Sequence, residues 1–412
     1  MFNLFKIAGR NLFRYKRRTL LTLGLIALGV VFVSVFIAVT GSFKAMMIGQ
    51  ITDSFVGHIQ IHRKGYLASI DTLPLTMNLK PMAVEKAERA LQETADIEAY
   101  SPRIKFGGMF SNFIETSNIR LNGVFLEKEM STVPLFPSRI KEGGNIIKKG
   151  EILVPELLAR GMKVKVGDVV VVIATNKDGS VNGKQFTVVG IIESATGPGG
   201  RDGYIHIEDA MEVLRMDEME ISEITVRAKN FSRLHGVFNS LNGLLSQEKN
   251  KMGKSIFEVH TWQKLSPFYN IARMIDVMTL FIKLMLIAIV LISIMNVMIM
   301  AVYERVREIG TMAAIGTLPG KILSLFVVEG FGLGVMGAVS GSLISGAVIY
   351  IINLSKITFD FGRQKGMILS ADISPVDLLM ISGIVIIVSI LASLQPAVKA
   401  SRMDPIRALG HV

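Results

Sequence analysis

The chain has 412 residues, half of them hydrophobic, and its mean hydropathy is +0.47. That is too apolar for an ordinary soluble protein and too polar for a chain buried throughout in lipid, so membrane spans combined with a soluble domain are indicated. The formal net charge is +11. The sequence contains no cysteine, which excludes disulfides, thiolate metal sites and lipid attachment through cysteine.

The first apolar stretch begins at about Thr19 and follows a strongly basic segment. It is longer than the roughly 7–15 apolar residues of a signal peptide and has no small-residue cleavage motif, so we expect an uncleaved membrane anchor. Because basic residues mark the cytoplasmic side of a membrane, the N-terminus is predicted to be cytoplasmic. The residues that carry this signal are Lys6, Arg10, Arg14, Lys16, Arg17 and Arg18.

Three further stretches reach the length of about 20 apolar residues that a helical span requires. Four spans return the C-terminus to the cytoplasm, and basic residues after the second and fourth spans agree with this. The predicted layout is a basic N-terminus (1–18), helix 1 with a stalk (19–55), an extracytoplasmic domain (56–260), a stalk with helix 2 (261–302), a cytoplasmic loop (303–321), helix 3 (322–352), a short extracytoplasmic loop (353–377), helix 4 (378–395) and a cytoplasmic tail (396–412).

The stretch between the first two spans is long enough to form its own core. Short apolar segments separated by turn residues predict strands, and apolar faces of helical period predict helices opening at Pro81 and lying over 234–245. The predicted fold is therefore an α-helical membrane protein with four transmembrane helices and an α+β domain, with a mixed sheet, inserted between helices 1 and 2. The predicted strands cover 57–62, 168–174, 184–193, 203–207 and 223–228.

Two candidate sites, one for ATP and one for a metal ion, are not supported by the residues present. The phosphate-binding pattern G-x-x-x-x-G-K-[ST] does not occur, so ATP hydrolysis by this sequence is not expected. His58 and His62 have the spacing of metal ligands on a helix, but they alternate with apolar residues as in a strand, about 13 Å apart. We therefore interpret them as exposed strand histidines and predict no metal site.

The third span contains two GxxxG spacings, 330/334 and 337/341, which allow a neighbouring backbone to approach closely. Gly330, Gly334, Gly337 and Gly341 are therefore predicted to pack against a helix, either of this chain or of a second copy. Glu329 lies at the start of this glycine-rich segment. An intramembrane acid is costly, and both snorkelling to the interface and a packing or hydrogen-bonding role are open for it.

The loop between the second and third spans predicts a short amphipathic helix with Val306, Ile309 and Ala313 on one face. Glu304 and Arg307 can pair on its charged side. We expect Gly310 and Gly316 to break this helix. The residues taken alone are equally compatible with a helix that lies on the bilayer surface.

The segment Glu304-Arg-Val-Arg-Glu-Ile-Gly-Thr-Met-Ala-Ala-Ile-Gly316 resembles the loop E-R-x-x-E-I-G-x-x-x-A-x-G of FtsX/MacB/LolC-type ABC permeases. Three other regions are similar to the same family: the start at 11–18, the segment 151–190 with Lys165-Val-Gly-Asp168, and the ending at 396–409. Chain length and layout most resemble the LolC/LolE lipoprotein-releasing permeases.

This resemblance implies a permease subunit that pairs with a second, identical or homologous permease and with two copies of a separate ABC ATPase. It also implies the bacterial inner membrane, no nucleic acid, and ATP and magnesium bound only by the ATPase partner. ATP-driven closure would be passed along the stalk to the outer domain, a mode called mechanotransmission. The resemblance assigns ATPase coupling to Glu304, Arg305, Arg307, Glu308, Ile309, Gly310, Ala314 and Gly316.

The expected cargo is a lipoprotein released toward the outer membrane. A MacB-like exporter of drugs, peptides or other amphipathic cargo, and an FtsX-like regulator of cell-wall hydrolases, stay open as alternatives. In the LolC type that recruits a periplasmic carrier, a long hairpin precedes the strand matching 186–190, whereas only 175–183 occupies that place here. This difference argues against recruitment of a periplasmic carrier by this chain. Whether a periplasmic carrier or adaptor is a partner is therefore left open.

Overall fold

A computed structural model describes residues 2–14, 16–194, 198–250, 252–361, 364–405 and 408. Arg407 and Leu409, which belong to the predicted C-terminal tail, lie outside these residues. The chain divides into two compact units, one formed by Met1–Met46 and Ala272–Val412 and the other by Met47–Ile271. We call them the membrane unit and the soluble unit.

The helices are α1 (Phe2–Arg14), α2 (Lys16–Ile51), α3 (Pro81–Glu93), α4 (Leu126–Thr132), α5 (Glu156–Gly161), α6 (Ile207–Val213), α7 (Leu234–Gln247), α8 (Trp262–Leu265), α9 (Phe268–Glu304), α10 (Val306–Ala314), α11 (Pro319–Leu354) and α12 (Pro375–Ser401). The strands are β1 (Ile59–Arg63), β2 (Ile97–Ser111), β3 (Thr116–Val124), β4 (Ile140–Gly143), β5 (Glu151–Pro155), β6 (Val169–Thr175), β7 (Val181–Ile192), β8 (Asp202–His206), β9 (Glu223–Ala228), β10 (Phe257–Thr261), β11 (Thr358–Phe361) and β12 (Gln364–Ile368).

In the membrane unit, α2, α9, α11 and α12 are each long and apolar enough to cross a membrane, which confirms the four predicted spans. The first two are longer than a bilayer requires: α2 has 36 residues and continues as a π-helical turn over Thr52–Val56, and α9 has 37. Pro267 separates α9 from the short α8, because proline cannot continue a preceding helix. The four helices share one apolar core.

The segment 353–377, predicted as a short extracytoplasmic loop, contains a pair of strands that the sequence does not predict. It contains the antiparallel hairpin β11–β12, in which Thr358 pairs with Ile368. The Asn353 side chain joins the end of α11 to the chain beyond the hairpin, since its amide donates to the Ala371 carbonyl and accepts from the Ala371 N–H, both at 2.8 Å. Polar residues flanking a short apolar run gave too weak a signal to separate a hairpin from a loop.

The soluble unit is built on one mixed sheet, as predicted. Strands β2, β3, β8, β5, β7 and β6 pair in that order, and β6 pairs again with β2, so the pairing forms a closed ring. The β3/β8 and β5/β7 pairs are parallel and the other pairs of the sheet are antiparallel. Strands β9, β1 and β10 extend the sheet from β2, and β4 extends it from β7.

Helix α3 begins at Pro81, as predicted, and buries Ala87 and Leu91. Helix α7 buries Leu234, Val237, Leu241 and Leu245, the face expected from the sequence. Each of the five predicted strands is present within a few residues of its expected bounds.

The prediction that His58 and His62 are exposed is wrong. His58 is 4% exposed and His62 is fully buried. Strand β1 lies between β10 and β9 and is covered on both faces, so its alternating pattern does not leave one face in water. Among the described residues, no three His, Asp or Glu side chains form a group that could hold a metal ion.

Candidate coupling site

Helix α10 follows α9 after a single residue, Arg305, which occupies its N-cap. Ile309 is 1% exposed and belongs to the core of the membrane unit, against which Met312 and Ala313 also pack. The predicted apolar face of α10 therefore faces the ends of the membrane helices.

The predicted break at Gly310 is wrong, because α10 runs through this residue and buries it. A single glycine costs a helix only about 1 kcal/mol relative to alanine, less than packing can supply. Gly316 lies beyond the helix end with φ of +86°, a left-handed conformation that glycine adopts without strain. Pro319 then opens α11.

Arg305 joins two carboxylates that lie on different helices. Its Nη1 donates to Glu329 Oε1 of α11 at 2.8 Å, and its Nε donates to Glu308 Oε2 of α10 at 3.0 Å. The Arg305 side chain is 5% exposed and that of Glu329 is 2% exposed. The guanidinium also lies over the ring of the buried Phe326, 5.6 Å from its centroid.

Glu329 is thus hydrogen-bonded rather than snorkelled to the interface. Burial would lower the pKa of Arg305, but the charges of Glu329 and Glu308 and their hydrogen bonds outweigh burial and raise it. Because breaking one partner of a buried ion pair typically costs about 3–5 kcal/mol, this pair holds α10 to α11.

Helix α1 joins the same carboxylates. Asn11 Nδ2 donates to Glu329 Oε1 at 2.7 Å, and Arg14 Nη1 donates to Glu308 Oε1 at 3.1 Å. The Arg14–Glu308 pair is largely exposed, so it adds little by itself. Sequence reasoning gave no role at this site to Asn11, which lies 318 residues from Glu329 in the chain. No local pattern could reveal such a contact.

The residues proposed for ATPase coupling therefore divide into two sets. Arg305, Ile309 and Gly310 are buried and Glu308 is half-buried. The remaining residues are exposed, as are two large apolar side chains just beyond the end of α10, Ile315 at 78% and Leu318 at 64% exposure. The exposed members of the predicted set are Glu304, Arg307, Ala314 and Gly316.

The glycines of α11 contact two helices of this same chain. A Cβ at Gly330 would lie 2.5 Å from Ser393 Cβ of α12, and one at Gly334 would lie 2.6 Å from Ser389 Oγ. A Cβ at Gly337 would lie 2.5 Å from Ile26 Cγ2 of α2, and one at Gly341 would lie 2.6 Å from Val30 Cβ. These distances are shorter than Cβ contacts in proteins, so a side chain at any of the four positions would force the neighbouring helix or its side chains to shift.

On the same side of the membrane unit, the ends of α9 and α12 are also joined. Lys399 Nζ donates to the Tyr303 hydroxyl at 2.7 Å and lies 4.9 Å from the centroid of its ring. The C-terminal part of α1, α10 and α11 thus meet in polar contacts around Arg305, and the adjoining ends of α9 and α12 are joined by a separate contact.

Comparison with known proteins gives two family matches. Residues 19–241 match the MacB-like periplasmic core domain, and residues 280–405 match the FtsX-like permease C-terminal. Together they cover most of α2, most of the soluble unit, the greater part of α9 and the helices α10 to α12.

Two relatives are similar over all or nearly all of the chain, and one solved structure is similar over half of it. The lipoprotein-releasing system transmembrane protein LolC of Neisseria meningitidis is 24% identical, and the alignment covers 100% of both chains. The probable export ATP-binding/permease protein MacB of Pseudomonas entomophila is 24% identical over 99% of this chain and 58% of that protein. The periplasmic region of MacB from Actinobacillus actinomycetemcomitans has 16% identity, a TM-score of 0.36, and covers 50% of this chain and 89% of that one.

The first of the two family matches alone spans more than half of the chain, and both fall on elements that the structure shows. The chain belongs to the FtsX/MacB/LolC-type ABC transporter permeases.

Proposed function

We propose that this chain couples a separate ABC ATPase, which binds the exposed face of α10, to release of a lipoprotein from the inner membrane. In this proposal ATP and magnesium bind only to the ATPase, and the permease works as a pair with an identical or homologous copy. The N- and C-termini and α10 lie in the cytoplasm, and the soluble unit lies outside the membrane.

The observation that carries the proposal is the buried Arg305–Glu329 pair. A helix that only lay on the bilayer surface would need no buried ion pair with another helix of the protein. With Arg305 held at 2.8 Å by Glu329 and Ile309 in the core, a push on the exposed face of α10 moves α11 as well. The anchor and the exposed face are what a mechanical coupling element requires.

Lipoprotein is the favoured cargo because the alignment with the Neisseria LolC covers both chains fully. Export of another amphipathic cargo is the second candidate, since the MacB of Pseudomonas entomophila aligns with 99% of this chain. Regulation of a cell-wall hydrolase is the third.

The test begins with affinity purification of the tagged full-length chain from its native membranes in mild detergent. We expect an ABC ATPase to co-purify, together with a lipoprotein. A periplasmic adaptor in place of the lipoprotein would favour the export alternative, and a cell-wall hydrolase would favour the third. If no ATPase co-purified in any of several detergents, the proposed function would be wrong.

Two variants then test α10. Arg307→Glu changes the charge of the exposed face, and Gly310→Pro removes a helical hydrogen bond at its centre. We expect both to lose the ATPase during purification while the permease stays inserted in the membrane. Lys356→Glu, beyond the far end of α11, is the control and should retain the ATPase. Normal ATPase binding and cargo release in both variants would contradict the assignment of α10.

A further inference from the structure

A groove in the membrane unit lies between α2, α9 and α12. It is a shallow groove, with a cavity volume of about 60 Å³. Seven of its lining residues are apolar, and two, Lys283 and Asp377, carry opposite charges. The apolar residues are Val33, Ile37, Leu286, Ile287, Met380, Ile381 and Ile384.

The depth of the two charges follows from the helices that carry them. Tyr303 of α9 and Lys399 of α12 are in contact, so these two helices run in the same direction from a common level. Lys283 lies 20 residues before Tyr303, and Asp377 lies 22 residues before Lys399. At about 1.5 Å per residue, both charges lie about 30 Å from the Tyr303–Lys399 contact. This distance is the thickness of the hydrocarbon core, so Lys283 and Asp377 lie at the membrane interface opposite α10.

Neither charge has a close ion-pair partner in the described part of the chain. Lys283 and Asp377 are each half-buried, and neither has an ion pair within 4.0 Å among the described residues. Seven residues earlier on the same helix, Asp276 does have such a partner, since Lys44 Nζ lies 2.6 Å from its Oδ1. At the membrane interface both side chains can stay hydrated and charged, so both are available to the charged headgroup of a lipid.

One class of molecule supplies both counter-charges at this depth. A zwitterionic phospholipid carries a phosphate for the Lys283 ammonium and an amine for the Asp377 carboxylate, and its acyl chains extend from that level into the membrane. A primary amine can donate hydrogen bonds to a carboxylate, whereas a quaternary choline cannot, so the carboxylate favours the primary amine.

We propose that the groove binds one phospholipid with a primary-amine headgroup, of the phosphatidylethanolamine class. Its phosphate contacts Lys283, its ammonium contacts Asp377, and one acyl chain lies against the aliphatic side chains of α2, α9 and α12. This inference does not rest on the cargo or the ATPase, because every residue in it belongs to the groove.

Native mass spectrometry of the full-length, delipidated chain in detergent tests the site. Dioleoyl phosphatidylethanolamine, phosphatidylcholine and phosphatidylglycerol are titrated separately. We expect a single saturable site that prefers the ethanolamine lipid. Loss of a charged hydrogen bond corresponds to a weakening of roughly tenfold or more, so Lys283→Gln should weaken all three lipids by that factor. Asp377→Asn should mainly remove the preference for ethanolamine over choline.

Two further variants guard against a general loss of structure. Lys356→Gln removes an exposed lysine just beyond the end of α11 and should bind all lipids as the unmodified chain does. Ile384→Trp fills the groove without changing any charge and should abolish binding. Size-exclusion profiles must match those of the unmodified chain for each variant.

Three results would overturn the proposal. Equal binding of the three lipids that Lys283→Gln leaves unchanged would show only nonspecific lipid association. A preference for phosphatidylglycerol would show that Asp377 takes no part. Absence of a bound lipid, together with a shift from dimer to monomer in Lys283→Gln, would show that a second copy of the chain covers the groove.

Discussion

Arg305 is the residue on which the candidate coupling site depends, because its guanidinium reaches carboxylates of both α10 and α11. The soluble unit contains a comparable arrangement around another arginine. The Arg103 side chain donates to Glu129 Oε1 at 2.6 Å and to Glu223 Oε1 at 2.9 Å, and both carboxylates are fully buried. In each unit, buried arginines fix elements that lie far apart in sequence.

Glu223 makes the stability of the soluble unit depend on pH. Burial alone would raise its pKa, but Lys105, His62 and Arg103 outweigh burial and hold the pKa well below the usual 4.5. A depressed carboxyl pKa contributes stability above the unfolded-state pKa, and that contribution is lost as pH falls through the folded-state value. The contribution is therefore full at neutral pH and declines in acid below about pH 4.5.

The substitution Glu223→Gln tests this contribution. At pH 7 we expect it to lower the free energy of unfolding by about 3–5 kcal/mol, because Arg103 loses a buried partner. The difference from the unmodified chain should shrink as pH falls below the usual carboxyl range. Unfolding of the full-length chain in detergent can be followed by fluorescence, since Trp262 is the only tryptophan and is 3% exposed in the soluble unit.

Glu85→Gln is the matched control for that experiment. Glu85 pairs with Arg89 at the surface, and its side chain is 64% exposed. We expect a change of less than about 1 kcal/mol at any pH. A Glu223→Gln effect that stayed constant from pH 7 to strongly acidic pH would show that volume or packing, rather than charge, is responsible.

At the scale of elements, α11 is held by backbone approach on two sides. Gly330 and Gly334 face α12, and Gly337 and Gly341 face α2. Small residues let helix backbones approach closely in a membrane, where apolar burial gives little driving force between helices. The spacing predicts this role, but whether the neighbouring helix belongs to the same chain becomes visible only in the structure.

Gly337→Leu should therefore destabilise the membrane unit, since overpacking typically costs about 1–3 kcal/mol. Gly346→Leu is the matched control on the same helix, because a Cβ there would have no atom within 4 Å. The measurement is the fraction of full-length chain that stays monodisperse in size-exclusion chromatography after heating. Ile26→Ala should partly rescue Gly337→Leu by vacating the space that the new side chain enters. Equal heat sensitivity of the two glycine variants would contradict this packing.

The sequence predicts an element well when a local pattern of residues determines it, and poorly when contacts with distant parts of the chain determine it. The sequence predicts the strand at 223–228 correctly because polar and apolar residues alternate clearly along it. Strand β2, the longest of the described strands, is not predicted, since Pro102 and the pair Gly107–Gly108 interrupt its pattern. Its register is set by three partner strands instead. Similarly, the contact of Asn11 with Glu329 has no signal in the sequence around either residue.

At the scale of the whole molecule, the two units are joined by continuous helices. The boundary after Met46 lies within α2, and the boundary before Ala272 lies within α9. A helix carries displacement along its axis, whereas a flexible linker does not. If the proposed function is right, these two helical joints must stay rigid for ATP-driven motion to reach the soluble unit.

Insertion of Gly-Gly-Ser-Gly at both joints tests this requirement. We expect the purified permease to keep its ATPase, because α10 and the Arg305–Glu329 pair are unchanged, while cargo release falls to the level measured without ATP. The same insertion between Asp217 and Glu218, in an exposed loop of the soluble unit, is the control and should leave release intact. The joint variant and the control variant both retain α10. If only the joint variant loses cargo release while both still bind the ATPase, transmission of motion is separated from ATPase binding. Undiminished ATP-dependent release after both insertions would instead show that motion does not travel through α2 and α9.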